Sequence, residues 1–405
     1  MRQLVVSHPF GNLNSYNAAL AFHEEALLSC FHTCLSAPLG SSRRSFPALP
    51  KAMVHTHPSR EIVRLALTLL PRSQWNGRSP NMIDRTGAAF DRAVARQLSP
   101  SEGAVYAYED WASYSFSQAK QLGLSTLYEL PTAYFTAKTS LLTQETEREP
   151  ELARYLPGLN EPDAKLLRKE HELRLADIVI CPSTFVQSSL AGSTGSHTSI
   201  HVIPYGADVT GPVRVWQDKD YQRPLKLIYA GPLAAQKGLH YLFQSLENLP
   251  FYSYILSLAG RWTPGYREWL DRRYRVNYEC LGHLSPADLK EAYCNSQVLV
   301  LPSLCDGFGL VLLEAMASGI PVIATYNSGA PDVITHGLEG YLVQAGNPDD
   351  LTAKLEQCLD DRKTLAAMGA LARLRAEELT WNRYRFRLIS TLCRETLPRL
   401  ALVHN

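Results

Sequence analysis

Glu314 stands in a run from Leu310 to Ala317 in which every other side chain is apolar. The run follows Gly307-Phe308-Gly309 and ends before Ser318-Gly319 and Pro321, so it reads as a buried helix. A carboxylate on such a helix loses its hydration, at a cost of roughly a few kcal/mol or more, unless it is hydrogen-bonded or takes up a proton. Glu314 therefore calls for a partner, and a pair of sugar hydroxyls can donate two hydrogen bonds to one carboxylate. The preceding loop, Asp306-Gly307-Phe308-Gly309, brings backbone N–H groups and a positive helix end to the same place, a setting suited to anionic phosphate.

Other groups capable of chemistry are scattered. His55 and His57 lie close to Glu61, but the spacing matches no metal motif, so solvated loop histidines and no metal site are expected. The cysteines, Cys30, Cys34, Cys181, Cys280, Cys294, Cys305, Cys358 and Cys393, form no Cys-x2-Cys pair and read as reduced structural thiols. Cys305 beside Asp306 reads as a small loop filler. The segment from Lys165 to Glu172, KLLRKEHE, reads as a solvated helical face, with Arg168 or Lys169 as candidates for contact with an acceptor phosphate.

Apolar, β-branched runs alternating with helix-period segments must position these groups, the pattern of a doubly wound parallel sheet. In the first half the runs begin at Gln3, Ala104, Ser125, Asp177 and Ile200; in the second they begin at Leu225, Tyr254, Val276, Gln297, Pro321 and Gly340. Two Rossmann-like halves follow. Periodicity fails between Tyr205 and Pro224, where Pro, Gly and charge intervene, and this is the expected junction. The division is then residues 1–205, residues 206–380, and a terminal helical segment 381–405. Residues 36–100 are the hardest to read, with Ser41 to Arg44 and Pro71 to Trp75 suggesting loops.

The chain has 405 residues, more than one core usually organises. Forty basic against thirty-nine acidic residues give a formal charge of +1, which lacks the electrostatic footprint of a dedicated nucleic-acid binder. No stretch approaches a membrane span and the N-terminal apolar run is short for a signal peptide, so a cytoplasmic protein is expected, with peripheral membrane contact left open.

Asp306 and Glu314, eight positions apart in D-G-F-G-L-V-L-L-E-A-M-A-S-G-I-P-V, resemble the Glu-x7-Glu motif of retaining glycosyltransferases of family 4, with Asp in place of the first Glu. Flanking segments support the resemblance: Val300 to Ser303, Gly329 to Asp332, Gly340 to Val343, Ile203 to Asp208 and Lys237-Gly238. It covers roughly residues 170 to 385 in order and spacing. It implies a GT-B fold, α/β with two Rossmann-like doubly wound domains facing a central cleft. It also implies a hexosyltransferase that moves a sugar from a nucleotide diphosphate sugar to an acceptor hydroxyl with retention, without metal or resident cofactor.

By the same resemblance, Lys237 faces the donor diphosphate, Asp306 holds the transferred sugar with help from Gly307, Phe308, Gly309 and Leu310, and Glu314 takes the nucleotide ribose. Pro232 replaces an Arg common in the family, and Arg261 is the candidate substitute. In the first domain Gly11, a candidate donor-binding residue, resembles the glycine turn where the donor diphosphate or the acceptor approaches backbone amides. Glu129 stands where members often carry His, and as a carboxylate it could stabilise oxocarbenium character; Glu109 and Asp110 add carboxylates on the acceptor side. Two alternatives remain open: another GT-B-like chemistry on the same donor, such as epimerisation or a non-glycosidic coupling, and non-catalytic binding of a nucleotide sugar.

Overall fold

The computed structural model describes residues 2–36, 46–58, 61–63, 65, 79–195 and 198–395. The loops expected at Ser41 to Arg44 and at Pro71 to Trp75 lie outside the described residues.

Two parallel sheets organise the chain. The first has the order β3-β2-β1-β4-β5-β6-β7, with β1 Leu4–Ser7, β2 Leu28–Thr33, β3 Val54–Thr56, β4 Ala104–Tyr108, β5 Ser125–Glu129, β6 Ile178–Cys181 and β7 Ser199–Val202. The second has the order β10-β9-β8-β11-β12-β13, with β8 Leu225–Ala230, β9 Tyr254–Ala259, β10 Tyr278–Gly282, β11 Val298–Leu301, β12 Val322–Thr325 and β13 Gly340–Val343. β1, β4, β6, β11 and β12 are buried along their whole length, as strands covered by helices on both faces must be. Each order reverses direction once, between β1 and β4 and between β8 and β11. A crevice opens at such a switch point, outside the carboxyl ends of the strands.

All eleven expected runs form strands, each shifted at its ends by no more than two residues. β2 and β3 were not expected. Leu28–Thr33 is LSCFHT, whose serine, cysteine, histidine and threonine mask the apolar pattern of a strand that is nonetheless almost wholly buried. The solvated loop expected around His55 is therefore corrected: His55 lies on edge strand β3, paired in register with His32 of β2.

The two halves touch at several points. The helix Phe135–Arg148 of the first half meets the helix Leu239–Glu247 of the second through buried Glu145, which contacts His240 Nε2 at 2.8 Å and accepts a hydrogen bond from the Tyr241 hydroxyl at 2.9 Å. The Trp269 indole N–H donates to Glu151 at 2.7 Å, and the Tyr155 hydroxyl donates to the Gly265 carbonyl at 3.0 Å. The last helix, Trp381–Glu395, packs on the helix Leu13–Glu24, where Arg385 bonds Glu24 at 2.8 Å and Asn17 at 2.9 Å. Its Tyr384, Leu388 and Leu392 are buried. No helix among the described residues is long and apolar enough to cross a membrane.

Candidate active site

The loops leaving β8 and β11 lie side by side because their strands are neighbours across the switch point. The Leu304 N–H donates to the Gln236 carbonyl at 3.1 Å, and the Gln236 side chain donates to the Cys305 carbonyl at 3.2 Å. This stitching brings Lys237 Nζ to 2.6 Å from Asp306 Oδ2, joining residues that are 69 positions apart in the chain. Lys237 ends a short 3-10 turn, Ala235–Lys237, that is closed by Gly238 at φ +69°. A Cβ there would stand 1.8 Å from the Pro302 carbonyl oxygen, so the close approach of the two loops requires glycine.

Asp306 begins the turn into the helix Leu310–Ala317, whose bounds are those expected from sequence. Gly309, at φ +81°, occupies the N-cap position without a side-chain cap; its own carbonyl accepts from the Leu312 N–H at 2.9 Å, and no side chain caps the preceding first-turn amides. Phe308 is buried against Tyr205, ring centroids 5.3 Å apart, and its carbonyl accepts from the Gly329 N–H at 2.9 Å. Leu310 is half-buried. Gly307 reaches across to the first half: its carbonyl accepts from Ser183 Oγ at 2.6 Å, and a Cβ would stand 1.9 Å from the Pro131 carbonyl oxygen.

Glu314 is half-buried rather than sealed. Part of the partner it calls for comes from the protein, since the Tyr293 hydroxyl donates to its Oε2 at 3.3 Å. Burial raises its pKa above the usual carboxylate value, and the Tyr293 hydrogen bond opposes that rise. Arg261 is exposed, and its carbonyl accepts from the Leu233 N–H at 3.0 Å, so its backbone lies against the loop that carries Pro232.

In the first half, Gly11 has φ +51° and lies beside Phe46, whose ring tip would be 2.6 Å from an added Cβ. Asn12 caps the following helix by accepting from the Ser15 N–H at 2.8 Å. His8, which sequence reading passed over, directly follows β1 next to this turn, edge-on to the Tyr108 ring at 4.8 Å, with Nδ1 accepting from the Phe10 N–H at 3.2 Å. Burial lowers the His8 pKa to about 4, which keeps the ring neutral at ordinary pH.

Glu129 is placed differently from the expected cleft position. It is fully buried, with the Tyr106 hydroxyl donating to Oε2 and the Tyr205 hydroxyl to Oε1 at 2.5 Å. Its pKa is raised by burial, against the pull of these hydroxyls. Tyr205 also packs on Trp381 and Tyr384, so Glu129 holds together β4, β5, the junction and the last helix.

Glu109 and Asp110 follow β4 within a dense charge network. Lys169 lies 3.4 Å from Glu109 and 2.8 Å from Glu161, while Asp110 meets Arg168 at 3.0 Å and Lys165 at 3.4 Å. The solvated face expected from Lys165 to Glu172 is thereby corrected: Lys169 is 4% and Glu172 0% exposed. The Glu172 carboxylate accepts the N–H groups of Asp110 and Ala112, at 2.8 and 3.1 Å. Mixed charge on one helix cannot distinguish solvent from a partner of opposite charge on another element.

Comparison with known proteins bears on this arrangement. Residues 216–375 match the family described as glycosyl transferases group 1. The sulfoquinovosyl transferase SQD2 of Arabidopsis thaliana is 30% identical over 224 residues, which cover 52% of this chain and 43% of that protein. A D-inositol 3-phosphate glycosyltransferase of Paenarthrobacter aurescens is 26% identical over 327 residues, 75% of this chain and 76% of the relative. The matched segments cover less than two thirds of the length of the first curated relatives. Among solved structures, Anabaena HepE in complex with UDP and glucose superimposes with a TM-score of 0.63 at 17% identity, over 97% of this chain and 100% of that one. A sucrose-phosphate synthase from Thermosynechococcus elongatus superimposes with a TM-score of 0.67 at 18% identity, over 98% and 100%. These structural likenesses establish the two-domain GT-B fold.

Proposed function

We infer that the chain is a group 1 glycosyltransferase that moves a sugar from a nucleotide diphosphate sugar to an acceptor hydroxyl with retention of anomeric configuration. The observation that carries this reading is the meeting of Lys237 and Asp306 at 2.6 Å, at the switch point of the second sheet and beside the uncapped N-terminus of the Leu310–Ala317 helix.

A lysine ammonium has three N–H donors. One is engaged by Asp306, which fixes where the charge sits, and the others are free to turn toward a diphosphate. Negative charge grows on that diphosphate as its bond to the anomeric carbon breaks, so a fixed cation opposite it acts most strongly in the transition state. The acceptor oxygen forms the new bond to the anomeric carbon from the same face, and its proton passes to the departing phosphate oxygen. Asp306 and the Gly307 to Leu310 backbone hold the sugar, and Glu314 receives the ribose hydroxyls on the oxygen not taken by Tyr293. Arg261 supplements the positive charge on the Pro232 side. Lys237 supplies the charge opposite the leaving group in this scheme without a catalytic metal. Gly11 and neutral His8 border the donor from the first domain, and Glu109 and Asp110 border the acceptor. We assign residues 1–205 to the acceptor domain, 206–380 to the donor domain, and 381–405 to the returning segment.

UDP is the first nucleotide to try, given that HepE was solved with it. The test is incubation with a panel of UDP-sugars and candidate acceptors, following UDP release and the anomeric proton of the product by NMR. A product with the donor's configuration supports the reading. Free or rearranged sugar without transfer would support the epimerase-like alternative, and inversion would remove the retaining assignment.

A further inference from the structure

The unexpected strand β2 carries Cys30 and His32 on one face, and β3 places His55 beside His32 on the same face. One ligand atom from each of Cys30, His32 and His55 lies within 4.8 Å of the others. Cys30 Sγ is 3.2 Å from His32 Nε2, and His32 Nδ1 is 2.9 Å from His57 Nε2. We propose that Cys30, His32 and His55 form a zinc site at the edge of the first sheet.

Three features support the site. The donor set is one thiolate sulfur and two imidazole nitrogens, the chemistry that favours Zn2+ over hard cations. Zn–N and Zn–S bonds of about 2.0 and 2.3 Å place tetrahedral ligands about 3.5 Å apart, so the cluster needs to contract by only about 1 Å, and exposed His55 has room to move. Third, His57 serves as the outer partner that orients a metal-bound imidazole. When His32 donates Nδ1–H to His57, its Nε2 lone pair is left facing Cys30 and the metal. Glu102 lies within electrostatic reach of both Cys30 and His55 and adds negative charge nearby. Water completes the fourth position on the exposed His55 side. Binding displaces the Cys30 thiol proton to buffer as the Zn–S bond forms. It clips β3, an edge strand of three residues, to its neighbour.

The test is calorimetric titration of chelator-stripped full-length protein with ZnCl2 in buffers of different ionisation heat, with metal content after gel filtration measured by mass spectrometry. One zinc per chain, release of a proton, and a thiolate-to-metal charge-transfer band with Co2+ are expected. Cys30→Ala should abolish the band, His55→Ala should weaken binding at least tenfold, and Cys34→Ala should change neither. Saturating zinc should raise the unfolding temperature of the wild type more than that of His55→Ala. Should Cys30→Ala fail to fold, the exposed His55→Ala variant decides alone. Absence of stoichiometric zinc in the wild type, or equal affinity in His55→Ala, would overturn the site.

Discussion

Removing the Lys237 ammonium leaves Asp306 without its cation in a partly buried site, and Lys237→Ala should lower turnover about a hundredfold, the scale seen when one transition-state stabiliser is lost. Steady-state rates at saturating donor check this, and a fall below about threefold would move the role to Arg261. Glu314→Gln should weaken nucleotide binding by about 1.5–3 kcal/mol, since hydrogen bonds to a charged group contribute that much; calorimetry with UDP reads it. Glu129→Gln should act on stability instead. An amide offers one acceptor oxygen where Tyr106 and Tyr205 now find two, and the mismatch in a sealed site costs about 1–3 kcal/mol in denaturant unfolding. His8 gives a pH dependence of known sign. Its folded pKa, about 4, lies below the ordinary 6.5, so the unfolded chain takes up the proton first and stability is lost as pH falls from about 6.5 through 4. Urea midpoints across that range should fall less steeply for His8→Gln than for the wild type.

Two turns that carry the site depend on glycine rather than on a reactive side chain. Gly238→Ala should force the Lys237 loop away from Pro302, weakening donor affinity while the sheet itself survives, which calorimetry and circular dichroism together would show. Elements of this kind were legible where one physical demand dominated. The apolar strands and the Leu310–Ala317 helix are written plainly, because strands buried on both faces and a helix with five of its eight residues buried leave little room for other residue types. Lys237, Asp306 and Glu314 could be picked out by resemblance, whereas the ion pair between the first two depends on loops brought together by the strand order. β2 was hidden by polar residues that find partners in the fold, Cys30 with His32 on the same strand and His32 with His57 beyond β3. Buried Lys169 and Glu172 looked solvated for the same reason: their counter-charges and N–H donors come from the segment after β4 and the loop at Glu161. Glu129 was placed in the cleft by its position at a strand end, but the tyrosines that enclose it come from two other segments.

At the scale of the whole molecule, the halves meet closely at Gly307, since any side chain there would strike the Pro131 carbonyl of the other half. Gly307→Ala should therefore part the cleft without unfolding either half, seen as a larger radius of gyration by small-angle scattering and a loss of turnover of tenfold or more. An unchanged radius would mean that the loop alone absorbs the methyl group. The closing helix, Trp381–Glu395, bears on how the protein comes into being. Ribosomes deliver residues in order, yet the first half is packed against Tyr384, Leu388 and Leu392, which are made only after the whole second sheet, and Arg385 is needed to bind Glu24. The surface those residues cover, on the helix Leu13–Glu24 and around Tyr205, stays bare throughout synthesis of the second half. Domains generally fold as units during synthesis, the N-terminal one first. Here that order cannot run to completion, and a nascent chain stalled before Trp381 would present an apolar face to chaperones instead of a finished first domain.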